Sequence, residues 1–287
     1  MNKQISLLGC GWLGLPLAKV LLENGFSVKG STTSEDKLAL LEDNKIQPFL
    51  LSLFEDKIEG NITDFLNESE ILIIDIPPGL RKETSISFVD KIKTLVTQIE
   101  KSGIKKVLFV SSTSVYRDVE IFSTPLEVTE ETPTNPDTES GKQLVEVEQL
   151  LLDNPYFQTI ILRFGGLIGE DRHPIKYLAG KENVENPDGP INFIHQEDCI
   201  GIILEILKQL FDINRGNHKM SKQVQHDNII FNAVAPQHPT RKEYYHKKAK
   251  NMNLPLPIFA KSTASKGKII NSAKIESVLS YIFKKEV

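Results

Sequence analysis

The chain of 287 residues has two cysteines, Cys10 and Cys199, one tryptophan, three methionines and no charge excess beyond a net of -4. Two cysteines cannot staple a disulfide framework, and no histidine spacing joins them into a zinc site, so no metal is expected and a reducing cytoplasm suits the chain. The absence of a basic excess argues against nucleic acid. No run reaches the roughly 20 apolar residues that a membrane span needs. The apolar stretch Ile5 to Leu22 follows Lys3 as a secretory signal would, but Gly9, Gly11, Gly14 and Pro16 interrupt it. With 40% apolar and 25% charged residues, what remains is a soluble, globular composition near the size limit of one core.

Periodicity is the next signal. Short apolar runs, Gln4–Leu8, Phe26–Gly30, Pro48–Leu51, Ile71–Ile76, Val107–Ser111 and Thr159–Arg163, alternate with helical patterns near 12–24, 34–43, 84–102 and 139–153. Ser34, before Glu35 and Asp36, is expected to cap the second helix. Ile86, Val89, Ile92, Leu95, Val96 and Ile99 fall on one stripe of the third. Strands such as Ile71-Leu72-Ile73-Ile74 are apolar on both faces, which predicts an α/β fold with a doubly wound parallel sheet covered by helices on both sides. After Arg163 the rhythm breaks into Gly- and Pro-rich loops, a helix near 197–211, a polar stretch Asp212–Asp227 read as a surface loop, a strand Asn228–Val234 and a helix capped by Thr240. The expected organisation is a dinucleotide-binding domain over 1–164 and a smaller substrate lobe over 165–287, partly interleaved with the sheet.

Gly9-Cys10-Gly11-Trp12-Leu13-Gly14 follows the first strand and opens the first helix. In such a loop Gly9 permits the turn, Gly11 lets the backbone approach a diphosphate, and Gly14 lets helix and strand pack closely. Backbone nitrogens of this loop, at the positive end of a helix, suit the phosphates. At the end of the second strand a carboxylate would bind the ribose hydroxyls and favour NAD. Thr32 stands there instead, within Ser31-Thr32-Thr33-Ser34 with Lys37 nearby, which favours NADP over NAD.

The strand Val107–Ser111 runs into Ser112-Thr113-Ser114-Val115-Tyr116, and Asn135-Pro136 leads to a helix carrying Lys142. With the glycine loop, Pro77-Pro78-Gly79, the segment from Leu162 to Gly169 and the segment from Asn192 to Asp198, the chain resembles the extended short-chain dehydrogenase/reductase family, its epimerase/dehydratase branch. The resemblance implies an NAD(P)-dependent oxidoreductase or epimerase/dehydratase acting on a hydroxyl or carbonyl, with nucleotide sugars among the substrates. It implies cofactor contacts at Gly9, Gly11, Trp12, Leu13, Gly14, Thr32, Pro77 and Lys142, and catalytic roles for Ser112 and Lys142. It also implies a homodimer through the helices near 84–102 and 139–153.

The family places a proton-exchanging tyrosine four residues before the lysine. Thr138 occupies that position, and an aliphatic hydroxyl is too weak an acid for the task. Tyr116, His195, Tyr177 or Glu139 would have to supply the proton, with Tyr116 carried as the third catalytic candidate. Arg172 and His195 are candidates for holding substrate, Arg172 through a bidentate clamp on a phosphate or carboxylate. Three readings follow: an enzyme of this family, a catalytically silent NAD(P)-binding sensor or scaffold, and a binder of flavin or another nucleotide on the same fold.

Overall fold

The computed structural model describes residues 3–79, 87–211, 227–261 and 265–287. Seven strands form the central sheet: β1 (Gln4–Leu8), β2 (Ser27–Thr32), β3 (Gln47–Leu50), β4 (Ile71–Ile74), β5 (Lys106–Ser112), β6 (Gln158–Phe164) and β7 (Ile229–Ala233). Their spatial order is β3-β2-β1-β4-β5-β6-β7, and each neighbouring pair is parallel. The helices between them are α1 (Gly14–Glu23), α2 (Leu38–Asp43), α3 (Ile62–Leu66), α4 (Phe88–Ile99), α5 (Glu139–Leu152) and α6 (Gln196–Leu210), followed beyond β7 by α7 (Arg241–Asn251) and α8 (Ala273–Leu279). The expected doubly wound sheet is therefore present.

Alternation along the strands explains why both faces are covered. Ile71 and Ile73 pack into one apolar layer with Leu17 and Leu21 of α1, Ile203 and Leu207 of α6 and Ile275 of α8. Leu72 and Ile74 pack into the opposite layer with Ile92 and Leu95 of α4 and Val147 and Leu151 of α5. A strand buried on both sides has no polar face to alternate with, which is why it reads as a continuous apolar run.

Thr240 caps α7 through a reciprocal pair of bonds with Glu243, the capping box. Ser34 does not cap: it precedes one 3-10 turn, Glu35–Lys37, and its side chain makes no capping bond. The third helix starts at Phe88, where Ser87 accepts the Asp90 amide at 3.1 Å; residues 84–86 of the expected helix lie outside the described residues. So does the polar stretch read as a surface loop, apart from Asp227. A small sheet went unforeseen: Lys266–Ile270 lies between Val119–Glu120 and Leu126–Val128. Among the described residues no helix is long and apolar enough to cross a membrane.

Candidate functional site

The strand order reverses between β1 and β4, whose ends Leu8 and Ile74 lie side by side. At such a reversal the connections leave to opposite sides of the sheet and open a crevice at the strands' carboxyl ends. Here that crevice is a cleft of about 340 Å³, lined by Gly9, Cys10 and Gly11 on one side and by Asp75, Pro77 and Phe88 on another. Ser31, Thr32, Thr33 and Lys37 continue the wall beyond β2, and Lys91 of α4 faces the same space.

The glycine loop has the backbone that its spacing predicts. Gly9 adopts φ +106°, and a Cβ there would stand 2.3 Å from the Asp75 carbonyl oxygen. A Cβ on Gly14 would stand 2.1 Å from the Gly9 carbonyl, so only glycine lets α1 begin against the end of β1. Above Gly11 there is open space, as an approaching diphosphate requires.

The loop's hydrogen bonds show which amides remain for a ligand. Gly9 N donates to Ser31 Oγ at 3.0 Å, Cys10 N to Ser31 O at 2.8 Å, and Gly11 N to Gly9 O at 2.8 Å. The residue before α1 is Leu13, whose side chain cannot cap. Among the described residues the amides of Trp12 and Leu13 have no protein acceptor. The free donors thus lie one and two residues beyond Gly11. Ser31, which secures the turn from β2, was missed in the sequence because nothing local distinguishes it from the other hydroxyls of its segment.

Asp75 follows β4 at the back of the loop. A Cβ on Gly14 would approach its Oδ2 to 3.2 Å, and the Gly14 amide donates to the carboxyl. Burial pushes its pKa from 3.8 to about 7 against that amide's opposing pull. Burial, with the Asp75 charge, also pushes the Cys10 thiol up to about 12, so this cysteine is an inert packing residue.

The cofactor candidates divide. Gly9, Gly11, Thr32 and Pro77 line the cleft. Leu13 is buried in the core beneath it, and Gly14 packs behind it. Trp12 turns outward: its Nε1 donates to Asp171 at 2.9 Å, its carbonyl accepts from Gln196 at 2.7 Å, and its ring carries the Arg172 guanidinium at 4.9 Å. Arg172 is thereby tied to the glycine loop. His195 caps α6 by accepting the Glu197 amide at 3.3 Å and faces a separate cavity with His173 and Lys248. Neither residue lines the cleft at the glycine loop.

The catalytic candidates also separate. Ser112 Oγ accepts the Ser114 amide at 3.1 Å and caps the turn after β5. That turn abuts the start of α5, where a Cβ on Gly141 would lie 2.5 Å from the Ser114 carbonyl. Thr138 is the cap of α5, its Oγ1 accepting the Gly141 amide at 3.1 Å. Lys142 follows with its side chain 58% exposed and 3.9 Å from Glu139. Tyr116 lies elsewhere. It is 3% exposed, and its hydroxyl contacts Asn232 Oδ1 and the Thr129 carbonyl at 3.1 Å each and accepts from Arg163 at 2.5 Å. Burial raises its pKa despite the adjacent guanidinium. The turn after Ser112 abuts the start of the Lys142 helix, and Tyr116 sits in a separate buried network; none of the three lines the cleft at the glycine loop.

No family model matches the chain. Protein YeeZ of Escherichia coli (strain K12) is 33% identical over 281 residues, covering 97% of this chain and 95% of that protein. Among solved structures, a short-chain dehydrogenase/reductase superfamily protein from Agrobacterium tumefaciens with bound NAD superposes at TM-score 0.73 and 16% identity, covering 99% of this chain and 93% of that one. MoeE5 in complex with UDP-glucuronic acid and NAD superposes at TM-score 0.74 and 16% identity, covering 99% and 94%. The chain belongs to the family of Protein YeeZ, built on the fold of the extended short-chain dehydrogenases/reductases.

Proposed function

We propose that the chain binds NADP(H) in the cleft at the β1–β4 reversal and acts on a hydroxyl or carbonyl of a small molecule, with nucleotide sugars as the substrate class. The observation that carries the cofactor reading is a glycine loop in which the Trp12 and Leu13 amides have no protein acceptor and an added Cβ at the preceding Gly11 would meet nothing within 4 Å. Thr32, Thr33, Lys37 and Lys91 then face the ribose end with hydroxyls and ammonium groups, and among the described residues Asp75 is the one carboxylate lining the cleft. That polarity suits a 2′-phosphate and gives ribose hydroxyls no carboxylate acceptor at the end of β2. MoeE5, which binds UDP-glucuronic acid and NAD, supports the substrate class by its similar fold.

When bound, the nicotinamide supplies or accepts hydride. Residues 165–287 form the substrate lobe in this reading, and Ser112 with Lys142 orient the reacting oxygen and the nicotinamide ribose. A second reading has its own support: Thr138 is spent on a helix cap and Tyr116 on a buried network, which favours an NADP(H)-binding protein without proton-transfer chemistry. Trp12, the one tryptophan, sits in the loop itself and reports on both. We expect its fluorescence to change on adding NADPH, and less with NADH at equal concentration. Silence with both ligands, together with no rise in melting temperature, removes the cofactor reading. Binding without turnover of any nucleotide sugar favours the second reading.

A further inference from the structure

We infer that Asp75 couples dinucleotide binding to proton uptake: the cleft takes the diphosphate with the Asp75 carboxyl protonated and loses affinity when it ionises. The inference rests on the cofactor reading above. Asp75 lines the cleft together with Gly9 and Gly11, and its Oδ2 would stand 3.2 Å from a Cβ on Gly14, the residue that closes the glycine loop. A carboxylate and a diphosphate would then share one wall of a partly dehydrated cleft, where like charges are poorly screened.

Among the described residues only the Gly14 amide offsets the Asp75 charge, and no cation pairs with it. From the glycine loop it faces Cys10, from α6 Cys199, and from α1 the Gly14 amide; both thiols stay neutral because burial raises their pKa values, helped at Cys10 by the Asp75 charge and at Cys199 by Asp198 and then Asp75. Lys37 and Lys91 line the same cleft, but among the described residues neither pairs with Asp75. The carboxyl already titrates near neutrality without ligand. Arrival of a dianion raises that value further, so over a window above pH 7 binding draws a proton from solvent.

The test is calorimetric titration of the full chain with NADPH in two buffers of different ionisation enthalpy, from pH 6.5 to 8.5, for the wild type and Asp75→Asn. NADH, which lacks the titrating 2′-phosphate, serves as a second ligand. The expected result is uptake of a fraction of one proton by the wild type with both ligands. Its affinity should fall by up to about tenfold per pH unit above neutrality. Asp75→Asn should show neither effect beyond the ligand's own titration. Measurable binding with buffer-independent heat and a flat pH profile overturns the inference and leaves the cofactor reading intact; no binding at any pH overturns both. Should Asp75→Asn fail to fold, the wild-type buffer series with NADH decides alone.

Discussion

Arg163 holds Tyr116 and Glu148 at once: one terminal nitrogen donates to the phenol oxygen at 2.5 Å and the other to Glu148 Oε2 at 2.6 Å. Ser111 completes the carboxylate's bonding from β5, and Asn232 of β7 accepts the phenol proton, so a single polar network ties three strands to α5. The arginine and the carboxylate are both almost wholly buried. Such a pair contributes little when intact compared with apolar packing, but losing one partner leaves the other charged and dehydrated.

Tyr116→Phe therefore tests stability against catalysis. We expect a loss of about 1–3 kcal/mol in chemical denaturation, because Arg163 and Asn232 lose a buried partner. NADPH binding and any turnover should be unchanged. A large fall in kcat with normal stability would return Tyr116 to the chemistry.

Arg163→Met should be worse, costing about 3–5 kcal/mol through the stranded Glu148 carboxylate. The double variant Arg163→Met with Glu148→Leu should recover much of that loss in the same denaturation series. No recovery would mean that the network's value lies in geometry rather than in charge pairing.

The loop glycines make a matched pair. At Gly14 an added methyl meets the Gly9 carbonyl at 2.1 Å, so Gly14→Ala should lower the melting temperature by displacing α1. At Gly11 nothing lies within 4 Å, so Gly11→Ala should fold normally yet weaken the Trp12 response to NADPH by tenfold or more, roughly 1.4 kcal/mol. Equal melting points with equal NADPH affinity for wild type and Gly11→Ala would remove the diphosphate from this surface.

Lys37→Ala and Lys91→Ala should each weaken NADPH by about 1.5–3 kcal/mol, the range for hydrogen bonds to charged groups, and leave NADH nearly unchanged. Parallel titrations with the two ligands give the ratio directly. Loss of both ligands alike would assign these lysines to something other than the 2′-phosphate.

Asp75 also sets a stability profile. Its folded pKa of about 7 lies above the ordinary aspartate value of 3.8, so between those values the folded chain holds the proton that the unfolded chain has released. Its contribution is present in full below about pH 4 and is lost as pH rises through 7, at no more than about 1.4 kcal/mol per unit. Melting curves for the wild type should thus decline relative to Asp75→Asn across that window and run parallel above it.

The legible parts were those with a period or a fixed spacing. Gln4–Leu8, apolar at most positions and ended by glycine, was legible to its last residue, and Thr240 announced its helix. The small sheet around Lys266–Ile270 escaped because its partners have two and three residues, too few to show alternation. Within the site, the glycine spacing was visible, and a carboxyl at Asp75 beside the apolar run Ile71–Ile74 pointed to the strand's C-terminal edge, whereas Lys91 reaches the cleft from α4 and only the crossover brings it there. The stacking of Arg172 on Trp12 was invisible for the same reason: the two residues are far apart in the chain.

That small sheet has an implication for synthesis. Val119–Glu120 and Leu126–Val128 do not bond to one another; each edges the same late strand, Lys266–Ile270. A nascent chain that has already laid down β1 to β6 still has those two segments hanging open, and β7 has yet to dock beside β6. The loops following β5 therefore gain their final pairing only once residues 266–270 have been synthesised.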